Sequence, residues 1–182
     1  RLDHAVGPSI DFWKEFRTRI KKQYPHTFLL GEVWVNNASL EFLKTTNSKN
    51  KLCKWLFKSK NDNYMKDYQG ILDGCIDFTF NELVREYIFN HKDKKEFAKK
   101  LIKHYQSFDK NFMLPTFLDN HDMDRFYYTC KHKEEYKKAI KFQFSQHQPT
   151  IIYYGNESGM SQQHSMHHYE SHGDLQARQP MN

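Results

Sequence analysis

Polar side chains of three kinds stand side by side at Asn120, His121 and Asp122, directly after a short apolar segment. That segment, residues 112–116, has the length and apolar character of a buried strand. A hydrophobic core does not need an amide, an imidazole and a carboxylate together, because each of these groups loses its hydration when it is buried. The sequence therefore predicts a functional site at the end of this strand.

Two more carboxylates have surroundings that suit catalysis. Glu32 lies inside the apolar, β-prone segment 27–35, where burial disfavours the charged form and suits a general acid/base. Asp3 lies two residues from Arg1, which favours an ionised carboxylate and suits a nucleophile. Glycoside hydrolysis needs an acid and a carboxylate on either side of one bond, and Asp122 is then left to hold the sugar.

The elements that must position these residues alternate between strand and helix. In chain order the apolar spacing predicts a helix over 9–24, a strand over 27–35, a strand over 70–80, a helix through 83–88, a helix through 97–105, a strand over 112–116, a helix over 133–144 and a strand over 150–154. This alternation is typical of a parallel sheet with crossover helices, in which ligands bind at the carboxyl ends of the strands. Asp3, Glu32 and Asp122 are therefore expected at one rim of the sheet.

The remaining stretches are predicted to be loops. Residues 36–69 are polar and rich in Lys and Asn, with short helical pieces near 40–43 and 52–57, and the tail from Asn156 onward is also expected to be a loop. Four histidines lie in this tail, and we expect an ordinary loop rather than a metal site because no helix would align them and no Cys accompanies them. They are His164, His167, His168 and His172. Asp124 and Arg125 are expected to form a local ion pair.

The composition is that of a folded globular chain. The 182 residues include 15 Phe, 11 Tyr and 3 Trp, which is enough apolar material for a substantial core. No apolar run reaches the roughly 18 residues that a membrane-spanning helix needs, and the first residues do not resemble a signal peptide.

The charge and the cysteines narrow the classes of function. The net charge is +6, and much of the excess lies in the Lys-rich tract 92–103, whose helical apolar stripe favours a solvated helix face over a nucleic-acid-binding surface. Cys53, Cys75 and Cys130 are widely spaced without a Cys-x-x-Cys motif, which favours reduced, structural thiols and a cytosolic setting.

Four segments, taken in order, resemble the signature segments of the alpha-amylase family of glycoside hydrolases (glycoside hydrolase family thirteen). They are Arg-Leu-Asp at 1–3, Gly-Glu-Val-Trp at 31–34, Phe-Leu-Asp-Asn-His-Asp at 117–122 and the segment 149–155. Each segment alone is a modest signal, but four in the family's order are specific. The tail 173–181 is similar, more weakly, to a segment that follows the last strand of the family's barrel.

The resemblance implies roles for the residues already singled out. Asp3 would be the nucleophile, Glu32 the acid/base and Asp122 the stabiliser of the transition state. Arg1 would orient Asp3, and His121 would bind hydroxyl groups of the sugar.

Three more residues are expected to contact the substrate. Asn120 would hold the sugar beside His121, and Trp34 and Tyr154 lie at strand ends, where their rings could stack on sugars. The alternative for both rings is core packing, which is the commoner use of aromatic residues in strands.

The fold implied by the resemblance is α/β, the C-terminal half of a (β/α)₈ TIM barrel with strands four to eight. Residues 1–182 would then be one partial catalytic barrel domain, with no second domain. Because such a half barrel has two open sheet edges, this segment alone is expected to be inactive and poorly soluble.

The implied activity is hydrolysis of alpha-glucans such as starch or maltodextrin, with retention of configuration. A transglycosylase of the same family and a non-catalytic barrel that acts as a binding scaffold are the alternatives, and a basic nucleic-acid module is a third. No cofactor is predicted. Val6 and Gly7 stand where many alpha-amylases have Lys-His, so we expect no tightly held calcium here, although other regions of the full-length protein could supply a calcium site.

Overall fold

The computed structural model describes residues 1–34, 61–89, 93–167 and 173–181. The helices and strands of these residues, in chain order, are α1 (Ile10–Gln23), β1 (Leu30–Gly31), α2 (Asn61–Lys66), β2 (Gly74–Cys75), α3 (Phe78–Phe89), α4 (Lys94–Tyr105), α5 (Phe126–Cys130), α6 (Lys133–Phe144) and a 3₁₀ helix (Gly173–Arg178). None of the described helices is long and apolar enough to cross a membrane.

The helices predicted from apolar spacing are confirmed. α1 begins after Ser9, whose side chain accepts a hydrogen bond from Phe12 N, and its first turn carries Asp11. α3, α4 and α6 lie where apolar residues recur at helical spacing. α2, α5 and the 3₁₀ helix in the tail were not predicted, since all three are too short to show a periodic pattern, and α2 lies in the segment 36–69 that was predicted to be a loop.

The strands are much shorter than predicted. β1 and β2 have two residues each, and the predicted strands over 112–116 and 150–154 are represented only by isolated parallel bridges. The prediction for 70–80 is wrong at its end, because α3 begins at Phe78. A short apolar run fits a buried helix as well as a buried strand, so periodicity alone could not separate them.

The described residues divide into two compact units. Unit 1 comprises Arg1–Thr79 and Lys103–Leu114, and unit 2 comprises Phe80–Ile102 and Pro115–Asn182.

Unit 1 is built on parallel pairing, as predicted. β1 pairs with β2 in parallel, Leu2 bridges to Gly31 on one side, and Gly74 bridges to Met113 on the other. The core of this unit packs apolar side chains from these segments and from α1. Its buried members include Ala5, Trp13, Leu29, Val33, Met65, Tyr68, Leu72, Cys75, Phe112 and Leu114.

Unit 2 contains a parallel bridge of its own, between Thr116 and Thr150. Gln143 from α6 donates to the carbonyls of Thr116 and Ile151, at 2.9 and 3.1 Å, and so ties the helix to both segments. The aromatic ring of Phe142 stacks on Phe80 of α3 with 6.0 Å between the centroids. Helices on a parallel pair of segments are the α/β arrangement that the sequence predicts.

The Lys-rich helix α4 and the cysteines were also the subject of predictions. The Lys residues of α4 are largely exposed, as expected of a solvated helix face, whereas Phe97 and Leu101 are buried. Cys75 and Cys130 are free and buried, in agreement with structural thiols. Cys53 and the helical pieces predicted near 40–43 and 52–57 lie outside the described residues.

Candidate active site

In unit 1, Arg1 joins the two predicted catalytic carboxylates. Its Nη2 lies 2.7 Å from Asp3 Oδ1, and its Nη1 lies 3.8 Å from Glu32 Oε1. The Asp3 side chain is 68% exposed, whereas that of Glu32 is only 12% exposed. One carboxylate is thus open to solvent and the other enclosed, and the enclosure of Glu32 agrees with its position in an apolar segment.

The backbone explains why these side chains meet. Glu32 N donates to Leu2 O at 2.9 Å, and Ala5 N donates to Glu32 O at 2.9 Å, so the first residues run parallel to the end of β1. His4 adopts a left-handed conformation, with φ 45°, and its N–H donates to Glu32 Oε2 at 3.2 Å. Glu32 Oε1 is buried and has no hydrogen-bond partner.

The segment that carries Asp3 is anchored from behind. The carbonyl of Ala5 accepts hydrogen bonds from Trp13 Nε1, at 2.8 Å, and from the hydroxyl of Tyr68, at 2.7 Å. Both donors belong to the core of unit 1. The position of Asp3 therefore depends on core packing as well as on the parallel bridge at Leu2.

Trp34, predicted to contact the substrate, stacks on Phe78 with 5.0 Å between the centroids and 1° between the ring planes. Trp34 is half-buried, so part of its surface remains accessible. This contact supports the core-packing alternative for one face of the indole.

In unit 2, the turn over 120–122 presents the predicted polar cluster. Asp122 N donates to Asn120 Oδ1 at 2.9 Å, which closes the turn, and His121 Nε2 lies 3.2 Å from Asp122 Oδ2. The side chains of His121 and Asp122 are 30% and 35% exposed. Both side chains therefore keep a part that solvent can reach.

Arg178, from the 3₁₀ helix, is a neighbour of this turn. Its Nη2 lies 3.0 Å from Asp122 Oδ1, and its Nε donates to His121 O at 3.2 Å. Asp174 lies 3.2 Å from the same Nη2. The weak resemblance of the tail to a family segment included Arg178 but did not indicate this contact.

Tyr154 is held by its hydroxyl and by its ring. The hydroxyl donates to Gln179 O at 2.6 Å, and the guanidinium of Arg125 lies 4.5 Å from the ring centroid. The same guanidinium lies 4.2 Å from the ring of Tyr153 and donates to Tyr154 O. Arg125 is fully buried. This cation–π contact occupies one face of Tyr154.

The expected ion pair between Asp124 and Arg125 is replaced by other contacts. Asp124 accepts hydrogen bonds from Gln162 Nε2, Ser165 Oγ and Met166 N, at 2.7, 2.7 and 2.8 Å. The guanidinium of Arg125 lies against the rings of Tyr153 and Tyr154, so adjacency in sequence did not produce a pair here.

Asp119, just before the polar cluster, is buried and fixes the turn from inside. Its carboxylate accepts from Phe126 N at 2.7 Å and from Asn156 Nδ2 at 2.8 Å. Burial raises the pKa of Asp119, against the effect of these hydrogen bonds and of the Arg125 and Arg85 charges. The sequence motif included Asp119 but did not separate it from the partly exposed Asp122.

Sequence reasoning missed Arg85, on α3. Its Nη2 donates to Leu118 O at 2.9 Å and to Asp124 O at 3.1 Å. A signal was present, since Arg85 follows Asn81 at helical spacing on a face that also carries Phe80 and Val84, and polar residues on an apolar face need partners.

No group of three His, Cys, Asp or Glu residues able to hold a metal ion occurs in the part of the chain that the structure describes. His164 and His167 lie in irregular backbone, as expected of a loop, and His168 and His172 are outside the described residues.

Comparison with known proteins places this chain in a family. Residues 4–182 match the sequence model described as alpha amylase, catalytic domain. Alpha-amylase 2 of Dictyoglomus thermophilum is 33% identical over 163 residues, which cover 89% of this chain and 25% of that protein. A cyclomaltodextrinase of a Bacillus species is 28% identical over 168 residues, which cover 90% of this chain and 25% of that protein.

A solved structure agrees with the fold. The crystal structure of an Anoxybacillus alpha-amylase superposes with a TM-score of 0.71 at 23% identity, over 100% of this chain and 34% of that one. The fold is thus α/β with parallel strands, and its structural neighbours are alpha-amylase TIM barrels.

The chain belongs to the alpha-amylase family, and it matches the family's catalytic domain. It spans about a quarter of the length of the two curated relatives described above.

Proposed function

We propose that the protein to which this chain belongs is a retaining glycoside hydrolase that acts on alpha-glucans through a covalent glycosyl-enzyme. The observation that carries the proposal is the contact of Arg1 with both Asp3 and Glu32, at 2.7 and 3.8 Å. Two carboxylates that contact one guanidinium can lie on either side of a single glycosidic bond, as this chemistry requires, and retention of configuration is taken from the family resemblance.

In this proposal Glu32 donates a proton to the glycosidic oxygen while the carboxylate of Asp3 attacks the anomeric carbon. The bond to the leaving sugar breaks, and a covalent bond between Asp3 and the remaining sugar forms. Glu32, now ionised, takes a proton from a water molecule that attacks the same carbon and releases Asp3. Two inversions give overall retention.

The remaining residues bind and orient the sugar. Asp122 stabilises the positive charge of the oxocarbenium-like transition state, and His121 and Asn120 bind hydroxyl groups. Arg1 orients Asp3, while the accessible faces of Trp34 and Tyr154 contact the substrate. The roles of Asp122, His121 and Arg1 come from the family resemblance, and those of Asn120, Trp34 and Tyr154 come from their places at strand ends. The partial exposure of His121 and Asp122 supports their part of the proposal.

We further propose that this chain corresponds to strands four to eight of the family's barrel and forms one partial catalytic domain. The order of the parallel contacts supports this, since Leu2, β1, β2 and Met113 pair successively along the chain. The known relatives are several times longer, which agrees with a segment of a barrel.

The test uses the full-length protein with maltooligosaccharides. We expect hydrolysis whose first product has the α configuration by NMR, and a loss of about 10²- to 10⁴-fold in kcat for Glu32→Gln, in line with general acid/base catalysis. Asp3→Asn and Asp122→Asn should also cut kcat sharply with the fold intact. Asp11→Asn is the control, since Asp11 is 90% exposed on α1.

Three outcomes would redirect the proposal. Unchanged turnover in Glu32→Gln would favour a non-catalytic scaffold, and a loss of no more than severalfold in Asp122→Asn would show that the centre of the site lies elsewhere. Transfer of the glycosyl group to a sugar hydroxyl instead of water, seen as longer oligosaccharides, would identify a transglycosylase of the same family.

A further inference from the structure

Arg85 binds both ends of the turn that carries His121 and Asp122. In the part of the chain that the structure describes, its hydrogen bonds and ion pairs do not reach either of these two side chains. Its Nη2 donates to the carbonyl of Leu118 at 2.9 Å and to the carbonyl of Asp124 at 3.1 Å. Met123 Sδ lies 3.4 Å from the same nitrogen. One guanidinium nitrogen therefore bridges the start and the end of the turn.

Asn81 reinforces this attachment from one helical turn away. Its Nδ2 donates to the carbonyls of Phe117 and Leu118, at 3.3 and 2.6 Å, and its side chain is buried. Asn81 and Arg85 are four residues apart on α3 and so share one face. Helix α3 therefore contributes two of the side chains that hold the turn.

Aromatic rings restrict the Arg85 side chain. The guanidinium carbon lies 5.8 Å from the ring centroid of Phe89 and 5.3 Å from that of Phe126. These rings are themselves 5.2 Å apart. A guanidinium beside two aromatic rings has few alternative positions, so the two hydrogen bonds to the turn hold a defined geometry.

The local charges favour this arrangement. Burial lowers the pKa of Arg85 to about 10, while the carboxylates of Asp119 and Asp124 act in the opposite direction. Arg85 therefore stays charged at neutral pH, and hydrogen bonds from a charged donor are stronger than neutral ones.

We propose that Arg85 is a positioning residue, which fixes the turn so that Asp122 and His121 point at the sugar. This inference rests on the proposed function. A displacement of about 1 Å at a catalytic group can reduce turnover by on the order of 100-fold. Arg85 acts through the backbone of the turn and does not touch the substrate.

The test compares Arg85→Met and Arg85→Lys in the full-length protein, with 4-nitrophenyl maltoside as the substrate. Arg85→Met retains the apolar stem but cannot donate, so we expect kcat to fall by about 10- to 100-fold with a smaller change in KM. Lysine can donate to one of the two carbonyls, and Arg85→Lys should recover part of the loss. Arg19→Met is the matched control, because Arg19 is 78% exposed and pairs only locally with Glu15 among its recorded contacts.

A double-mutant comparison separates positioning from general loss of stability. If Arg85 acts through Asp122, Arg85→Met should cost little further activity in the Asp122→Asn background. Equal losses of kcat in both backgrounds, or an unchanged kcat in Arg85→Met, would overturn the inference while leaving the proposed function intact. A wild-type protein without activity on alpha-glucans would instead overturn the proposed function and this inference with it.

Discussion

The guanidinium of Arg178 contacts two neighbouring residues: its Nη2 lies 3.0 Å from Asp122 Oδ1, and its Nε donates to the backbone carbonyl of His121 at 3.2 Å. The 3₁₀ helix of the tail thus supplies a cation to the residue that is proposed to stabilise the transition state. The pair is partly exposed, with 41% of the Arg178 side chain accessible, so its contribution is moderate.

Replacing Arg178 should therefore reduce activity without unfolding the protein. We expect Arg178→Gln in the full-length enzyme to lower kcat/KM by about three- to tenfold, since a partly exposed ion pair contributes about 1 kcal/mol. Steady-state kinetics on maltooligosaccharides measures this change. Asp174→Asn removes the other carboxylate near Arg178. Because the Asp174 side chain is 50% exposed, this change should lower kcat/KM by less. An unchanged kcat/KM in Arg178→Gln would show that the contact has no catalytic importance.

The carboxylate of Asp73 should make the stability of unit 1 dependent on acid pH. It accepts hydrogen bonds from Lys21 Nζ at 2.8 Å, Arg17 Nη1 at 2.9 Å and Leu29 N at 2.8 Å. Burial alone would raise the pKa of Asp73, but the hydrogen bonds from Lys21, Leu29 and Arg17 outweigh it, and the pKa is lowered. A lowered pKa means that the stabilisation is present at neutral pH and is lost as the pH falls below about 4.

We expect Asp73→Asn to unfold at a lower denaturant concentration at pH 7, with a loss of about 2 kcal/mol from the charged hydrogen bonds. The difference from wild type should shrink on acidification, which denaturant titrations at pH 7 and about pH 3.5 would measure. Asp11→Asn serves as the control, since Asp11 is 90% exposed beside Lys14. A difference that stays constant with pH would argue against this role of Asp73.

Loss of the buried pair of His104 and Asp77 should lower the free energy of unfolding more than loss of the Asp73 carboxylate does. His104 Nε2 lies 3.0 Å from Asp77 Oδ2, and the two side chains are 1% and 0% exposed. Removing one partner of a buried pair leaves the other without that compensation, so we expect His104→Leu to reduce the free energy of unfolding by about 3 kcal/mol. His132→Leu, at an exposed position, is the control for chemical unfolding. Equal stability of the two variants would contradict the expectation.

Gly74 should tolerate no side chain. A Cβ at this position would lie 2.4 Å from the carbonyl oxygen of Met113, and backbone cannot move aside as a side chain can. We expect Gly74→Ala to lower stability by about 1–3 kcal/mol, as overpacking does. At Gly7 the nearest atom to a Cβ is on the His4 ring, at 3.0 Å, so Gly7→Ala should have a smaller effect. Thermal unfolding of both variants compares them, and a wild-type melting temperature for Gly74→Ala would disprove the predicted clash.

The helices of this chain were the most predictable part of its fold. α1, α4 and α6 carry apolar residues at helical spacing, and that spacing depends only on the local geometry of the backbone. The strands were less predictable, because a strand is defined by its hydrogen bonds to a neighbouring strand that is distant in sequence. β1 and β2 pair over two residues, and the apolar run that follows β2 turns into α3 at Phe78.

The sequence by itself determined the family and the candidate residues, since Asp3, Glu32 and the cluster at 120–122 are recognisable by residue type, order and resemblance, while their catalytic roles stay predictions. Only the tertiary structure decided which side chains contact and position these residues. Arg1 contacts both Asp3 and Glu32, Arg178 contacts Asp122, and Arg85 binds the turn from α3. The physical reason is that hydrogen bonds between residues far apart in sequence depend on where the backbone brings them, and no local spacing encodes that distance.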